Sequence, residues 1–86
     1  MNLAELQEAF RKAKEKASQL SQELDAFCRV EFRLCIATNT APDAYARREY
    51  MKLDADWAAA KKDEDRLCRQ WHEAWTESRE LETSRD

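Results

Sequence analysis

The sequence has no glycine, one proline and one histidine among its 86 residues. Phosphate-binding glycine loops, Rossmann turns, nucleophile elbows and glycine-bearing hairpin turns each need a backbone position that only glycine tolerates. The usual sequence markers of nucleotide-dependent enzymes and of hydrolases are therefore missing. We expect a protein that is not an enzyme, with no catalytic residues and no cofactor. A chain of this length forms one domain at most.

Long apolar runs and a strong excess of one charge are missing as well. No apolar run is longer than the four residues 34–37, whereas a membrane helix needs roughly 20 apolar residues, so no membrane partner is expected. The net charge is −3 and the pI about 5.2, while nucleic-acid binders usually have a pI above about 9. A nucleic-acid partner is therefore disfavoured.

The chain contains three cysteines, Cys28, Cys35 and Cys68. An odd number of cysteines leaves at least one thiol free within the chain. On one helix Cys28 and Cys35 would stand about 10 Å apart, which is beyond the reach of a disulfide. This cysteine content favours a reduced, cytoplasmic location.

Apolar residues recur at alternating steps of three and four along two segments. The first series is Leu3, Leu6, Phe10, Ala13, Ala17, Leu20, Leu24, Phe27, Glu31, Leu34 and Thr38. The second series is Ala46, Tyr50, Leu53, Trp57, Ala60, Glu64, Leu67, Trp71, Ala74, Ser78 and Leu81. This heptad spacing is typical of long amphipathic helices that pack along one seam.

The two series predict an all-α fold, a hairpin of two long antiparallel helices with a coiled-coil-like seam. The predicted single domain, residues 1–86, has helix 1 at about 2–38, a turn at about 39–42, helix 2 at about 43–81 and a frayed tail at 82–86. Domains this small bury only about 60% of their unfolded surface. We therefore expect a homo-oligomer, a homodimeric helical bundle.

The segment between the helices carries the signals of a chain reversal. Asn39 is the best candidate for a left-handed residue at the end of helix 1. Thr40 is predicted to cap helix 2, with Asp43 reaching back as in a capping box. Pro42 then falls in the first helical turn, where its missing N–H costs nothing.

Side-chain size suggests how the helices align. Small residues face large ones, such as Ala17 against Leu67, when paired positions have numbers that add to about 84. Pairing positions whose numbers add to about 80 would instead suit a turn centred on Asn39 and Thr40. This alternative register stays open.

Two features depart from the helical pattern. Glu31 and Glu64 interrupt the seams, either as polar specificity positions or as side chains that lean into solvent, and we favour the second. Residues 29–37 alternate like a strand. Because a lone strand needs a partner edge and no second alternating run exists, we favour a helix here.

Cys68 and His72 stand four residues apart, a spacing that places two side chains on one helix face. Such a pair could ligate a soft metal or couple a thiolate to an imidazole. A zinc site needs four ligands, and the remaining cysteines lie towards the other end of the hairpin. We therefore expect a half-buried cysteine beside an exposed histidine, and no metal.

The turn end of the hairpin combines basic charge with spare apolar side chains. Residues 28–52 contain five basic and three acidic side chains, a local charge of +2, whereas residues 1–27 carry −1 and residues 53–86 carry −4. Arginine and aromatic side chains are enriched in interface hot spots. The predicted partner-binding residues are Arg29, Phe32, Arg33, Ile36, Tyr45, Arg47, Arg48, Met51 and Lys52.

Two functions are consistent with this surface. We expect a protein–protein interaction module, such as an adaptor, an assembly helper or a small inhibitor of the kind that phages and plasmids encode, whose partner is another protein. The alternative is a dimeric hairpin that binds structured RNA through the basic residues Arg29, Arg33, Arg47, Arg48 and Lys52. The same apolar side chains could also complete a homodimer core.

Overall fold

The protein forms a helical hairpin. A computed structural model describes residues 2–84, with the side chains of residues 2–79. Helix α1 spans Leu3–Thr38 and helix α2 spans Ala44–Ser84. The helices pack against each other in a rod of 70 × 17 × 14 Å. The predicted all-α hairpin is confirmed, and residues 29–37 are helical.

A left-handed residue ends α1, as predicted. Asn39 has φ 52° and ψ 45°. Its N–H donates to the carbonyl of Ile36 at 3.4 Å, and the N–H of Thr40 donates to the carbonyl of Cys35 at 3.1 Å. These two bonds make a Schellman motif, which satisfies carbonyls at the helix end and reverses the chain. Asn39 supplies this conformation in a sequence without glycine.

Asp43 caps α2, so the predicted capping box is wrong. Its Oδ1 accepts the backbone N–H of Ala46 at 2.8 Å. The hydroxyl of Thr40 instead lies 2.6 Å from that of Thr38, at the end of α1. Thr40 therefore belongs to the end of α1, and Pro42 precedes the cap instead of occupying the first turn. At its other end α2 continues to Ser84, beyond the predicted end at Leu81, while residues 85–86 lie outside the described part.

Replacing Asp43 with alanine is expected to lower the free energy of unfolding by about 1 kcal/mol, because the N–H of Ala46 loses its acceptor. Urea unfolding followed by circular dichroism measures the change. Thr40→Ala is the matched control, since Thr40 does not cap α2, and its effect is expected to stay below about 0.5 kcal/mol. An equal loss in the two variants would contradict the assignment of the cap.

The core is a thin line of side chains between the helices. The buried apolar residues are Leu6, Ala17, Ala46, Ala60 and Leu67, all of which lie on the predicted seams. Three of the five are alanines, which allow the helix backbones to approach closely. Among the described residues, neither helix has the length and apolar character needed to cross a membrane.

Residues from the two helices line common depressions at both ends of the hairpin. Leu6 shares a surface depression with Ala74 near the open end. Glu31 and Tyr50 line one groove near the turn. The two helices therefore run antiparallel, as predicted, and the register stays a prediction.

Glu64 lies within the seam and does not lean freely into solvent. Its side chain is 14% exposed, and its Oε2 lies 3.2 Å from Nζ of the half-exposed Lys61, one turn earlier. Glu31 is half-buried at the edge of the turn-end groove. The expected outward orientation is therefore wrong for Glu64, because Lys61 reaches over the seam to neutralise the carboxylate.

Candidate interaction surface at the turn end

Large exposed hydrophobic side chains are concentrated near the turn. Eight such side chains occur in the described part of the chain, and seven of them belong to residues 30–51. The seven are Val30, Phe32, Leu34, Ile36, Tyr45, Tyr50 and Met51. Single exposed hydrophobic residues are normal on a protein surface, whereas a cluster of this kind marks an interaction site. The turn end is therefore the candidate surface.

A groove of about 520 Å³ opens between the helices at this end. We call it the turn-end groove, and its lining residues are Phe27, Cys28, Glu31, Phe32, Cys35, Pro42, Ala46, Arg47, Tyr50 and Met51. Phe32 and Met51 are 68% and 67% exposed, whereas Ala46 is buried. The small side chain of Ala46 leaves room that its large neighbours do not fill. The groove is thus a mainly apolar depression with large side chains at its rim.

The nine predicted partner-binding residues do not form one continuous surface. Phe32, Arg47 and Met51 line the turn-end groove. The six predicted residues that do not line it are Arg29, Arg33, Ile36, Tyr45, Arg48 and Lys52.

Helical spacing separates part of this set from the groove. At 3.6 residues per turn, Tyr45, Arg48 and Lys52 fall on one side of α2, and Val30 and Leu34 fall on the same side of the hairpin in α1. We call these five residues the back side. The turn end therefore presents two surfaces, the turn-end groove and the back side.

Sequence reasoning left most of the groove out of the predicted site, mainly because the heptad pattern assigns Phe27, Glu31 and Tyr50 to the seam between the helices. The lining residues absent from the predicted site are Phe27, Cys28, Glu31, Cys35, Pro42, Ala46 and Tyr50. Tyr50 occupies a seam position, yet it remains 44% exposed. The sequence does show a wide apolar flank of Cys28, Phe32 and Cys35, which one opposing helix cannot cover, but only Phe32 of these three is among the predicted partner-binding residues.

Four basic side chains at the turn end form no ion pair within the described residues. Arg29 pairs with Asp25 at 2.6 Å, and Nε of Arg48 donates to the carbonyl of Ala44 at 3.3 Å. The four cations without an ion pair are Arg33, Arg47, Arg48 and Lys52. Positive charge therefore accompanies the apolar side chains of both surfaces.

Two arginines nearer the open end form exposed ion pairs. Arg11 pairs with Glu8 and Glu15, both at 2.5 Å. The hydrogen bond from Arg11 holds the pKa of Glu8 below its ordinary value. Arg66 approaches Asp63 at 3.7 Å. These pairs contribute little to stability, and within the described part of the chain positive charge without an ion pair is not confined to the turn end.

His72, one member of the Cys68–His72 pair, lies beside an aromatic cluster. Cys68 is half-buried and His72 is exposed, as expected. The imidazole makes an edge contact with Trp71 at 5.2 Å, and Trp71 stacks on Trp75 at 6.3 Å. Arg79 lies 5.0 Å over the ring of Trp75. Within the described residues, no three His, Cys, Asp or Glu side chains come close enough together to hold a metal ion.

Comparison with protein-family models, curated proteins and solved structures gives no match to this chain. Its function is therefore inferred from the geometry and chemistry of its own surfaces.

Proposed function

We propose that this chain is a non-enzymatic protein–protein interaction module that acts through its turn end. The observation that carries the proposal is the concentration of exposed large hydrophobic side chains in residues 30–51. Covering such side chains removes apolar area from water, which is the main driving force of most protein association. An adaptor, an assembly helper or a small inhibitor of phage or plasmid origin would use a surface of this kind.

The chemistry of the turn end indicates what the partner surface contains. Residues 28–52 carry a local charge of +2, and Arg33, Arg47 and Lys52 have no ion pair within the described residues. Complementary charge speeds association and selects among partners. The partner surface is therefore expected to combine apolar side chains with carboxylates.

Homodimeric assembly is part of the proposal. The accessible surface of the chain is 7067 Å², whereas a compact monomer of 10.2 kDa has about 5,300 Å². The excess is about 1,800 Å², and a standard interface covers about 800 Å² on each partner. One copy therefore exposes enough additional surface for contact with a second copy and for a separate contact with another protein.

Affinity purification of the tagged protein from its native host tests whether the chain binds another protein through its turn end. The double variant Phe32→Ala/Arg48→Ala changes one residue on each surface of the turn end and is expected to recover at least about tenfold less partner, since hot-spot losses exceed about 1.4 kcal/mol. Lys16→Ala/Gln22→Ala, two exposed positions away from the turn, is the matched control and is expected to recover the wild-type amount. Circular dichroism checks that both variants stay helical.

Nuclease treatment before purification separates protein capture from RNA binding. Capture that survives the nuclease and is lost in the turn-end variant supports the proposal. Capture abolished by the nuclease would instead favour the alternative, RNA binding through the basic residues of the turn end. Equal recovery with wild type and with the turn-end variant would contradict the proposed surface.

A further inference from the structure

An apolar stripe extends from the turn-end groove along most of the hairpin. In α2, Tyr50, Trp57, Cys68 and Trp75 follow one another at intervals of 7, 11 and 7 residues, which places them on one side of a helix with 3.6 residues per turn. Tyr50 lines the groove, and Trp75, near the open end, is 40% exposed. Trp57 and Cys68, between them, are half-buried, so the groove and Trp75 are the two exposed ends of this stripe.

The length of this stripe restricts what can cover it. Tyr50 and Trp75 are 25 residues apart, or roughly 37 Å along α2, and the whole hairpin is 70 Å long. A short peptide that filled the groove would leave Trp75 uncovered. An occupant of comparable length, with its own apolar stripe, covers the entire face. A second copy of the chain has both properties.

Charge determines how a second copy is oriented. The turn end carries +2, and the two segments that form the open half carry −1 and −4. Parallel pairing would place two positive turn ends side by side, whereas antiparallel pairing places each turn end beside an open half whose summed charge is negative. Antiparallel pairing is also compatible with two-fold symmetry, in which both copies use the same face.

We propose, building on the homodimer of the proposed function, that two hairpins pair antiparallel through the face that contains the turn-end groove. Each copy then places the large rim side chains of its groove over Trp75 of the other copy. At 1.5 Å per residue, Phe32 of one copy comes within about one helical turn of the level of Trp75 in the other. The back side stays exposed for a different protein.

Sedimentation equilibrium measures whether the dimer forms and which face it uses. Wild-type protein is expected to have twice the monomer mass of 10.2 kDa. Phe32→Glu introduces a charge into the proposed interface and is expected to raise the dimer dissociation constant on the order of thirtyfold or more, as loss of a hot-spot residue does. Leu34→Glu, on the back side, is the matched control and should change it less than about threefold.

Spin-label distances determine the orientation. The three cysteines are replaced by serine, and Ala37→Cys, an exposed position near the turn, carries the label. Antiparallel pairing separates the two labels by roughly 45–55 Å, whereas parallel pairing brings them within roughly 20 Å. Circular dichroism and the sedimentation mass establish that the labelled variant retains the wild-type fold and assembly.

Three results would overturn the inference. They are a monomer at 100 μM protein, a short distance between the labels, and a dimer that Leu34→Glu weakens but Phe32→Glu does not.

Partner capture by the back-side variant Arg48→Ala is measured separately. A monomer that still loses its partner through Arg48→Ala refutes the second-copy inference and leaves the proposed function standing. An antiparallel dimer that captures no protein refutes the proposed function alone.

Discussion

Replacing Leu67 with alanine is expected to lower the free energy of unfolding by about 2 to 5 kcal/mol, the usual cost of truncating a buried leucine. Leu67 is 9% exposed, and only it and Leu6 are large side chains among the buried residues of the described chain. The remaining buried residues are alanines, which cannot move far enough to fill the cavity. In a domain this small such a loss is a large fraction of the total stability.

Urea unfolding at a fixed protein concentration measures this loss, because stability depends on concentration if the chain dimerises. Leu34→Ala removes the same side-chain atoms from a position that is 54% exposed, and its cost is expected to stay below about 1 kcal/mol. If the two variants lost similar stability, the seam through Leu67 would not be the core of the fold.

The heptad spacing predicts which side of each helix is buried, and the structure confirms it at every buried position. Leu6, Ala17 and Leu67 lie on the predicted seams, because the 3.6-residue period assigns each residue to a face whatever the partner helix is. Asn39 was predictable for a local reason as well. Asparagine tolerates the left-handed conformation better than the other residues near the turn.

The cap, the register and the groove depend on distances between elements, which a periodic pattern does not contain. Thr40 and Asp43 both match the chemistry of an N-cap, and the Schellman turn decides between them by including Thr40. Tyr50 has a seam position, yet it lines the turn-end groove and is 44% exposed. Periodicity identifies a face and cannot measure how tightly that face is closed.

A net charge summed along the sequence likewise does not show on which surface of the candidate site the charges lie. A local charge of +2 over residues 28–52 is correct as a sum, yet neighbouring residues on a helix are rotated by about 100° from one another. Arg47 lines the turn-end groove, while the next residue, Arg48, lies towards the back side. A segment of basic residues therefore predicts the basic end of the hairpin correctly but does not predict one basic surface.

Glu64 affects both the stability of the hairpin and the way in which its helices assemble. Its carboxylate lies mostly out of solvent, and the described structure gives it one ion pair, with Lys61 at 3.2 Å. Removing water from a carboxylate costs free energy that one half-exposed lysine offsets only in part. Polar residues at seam positions can nevertheless fix the register and the number of helices in a bundle. We infer that Glu64 lowers the free energy of unfolding and favours one register and one number of helices in the assembly.

Replacing Glu64 with leucine is therefore expected to raise the free energy of unfolding by about 1 to 3 kcal/mol, because an apolar side chain takes the place of a desolvated charge. Lys61→Ala leaves the carboxylate without its ion pair and is expected to lower the free energy of unfolding. Urea unfolding measures both variants, and sedimentation velocity is expected to show several species for Glu64→Leu where wild type shows one. A destabilised Glu64→Leu variant would show that the carboxylate contributes net stability to the seam.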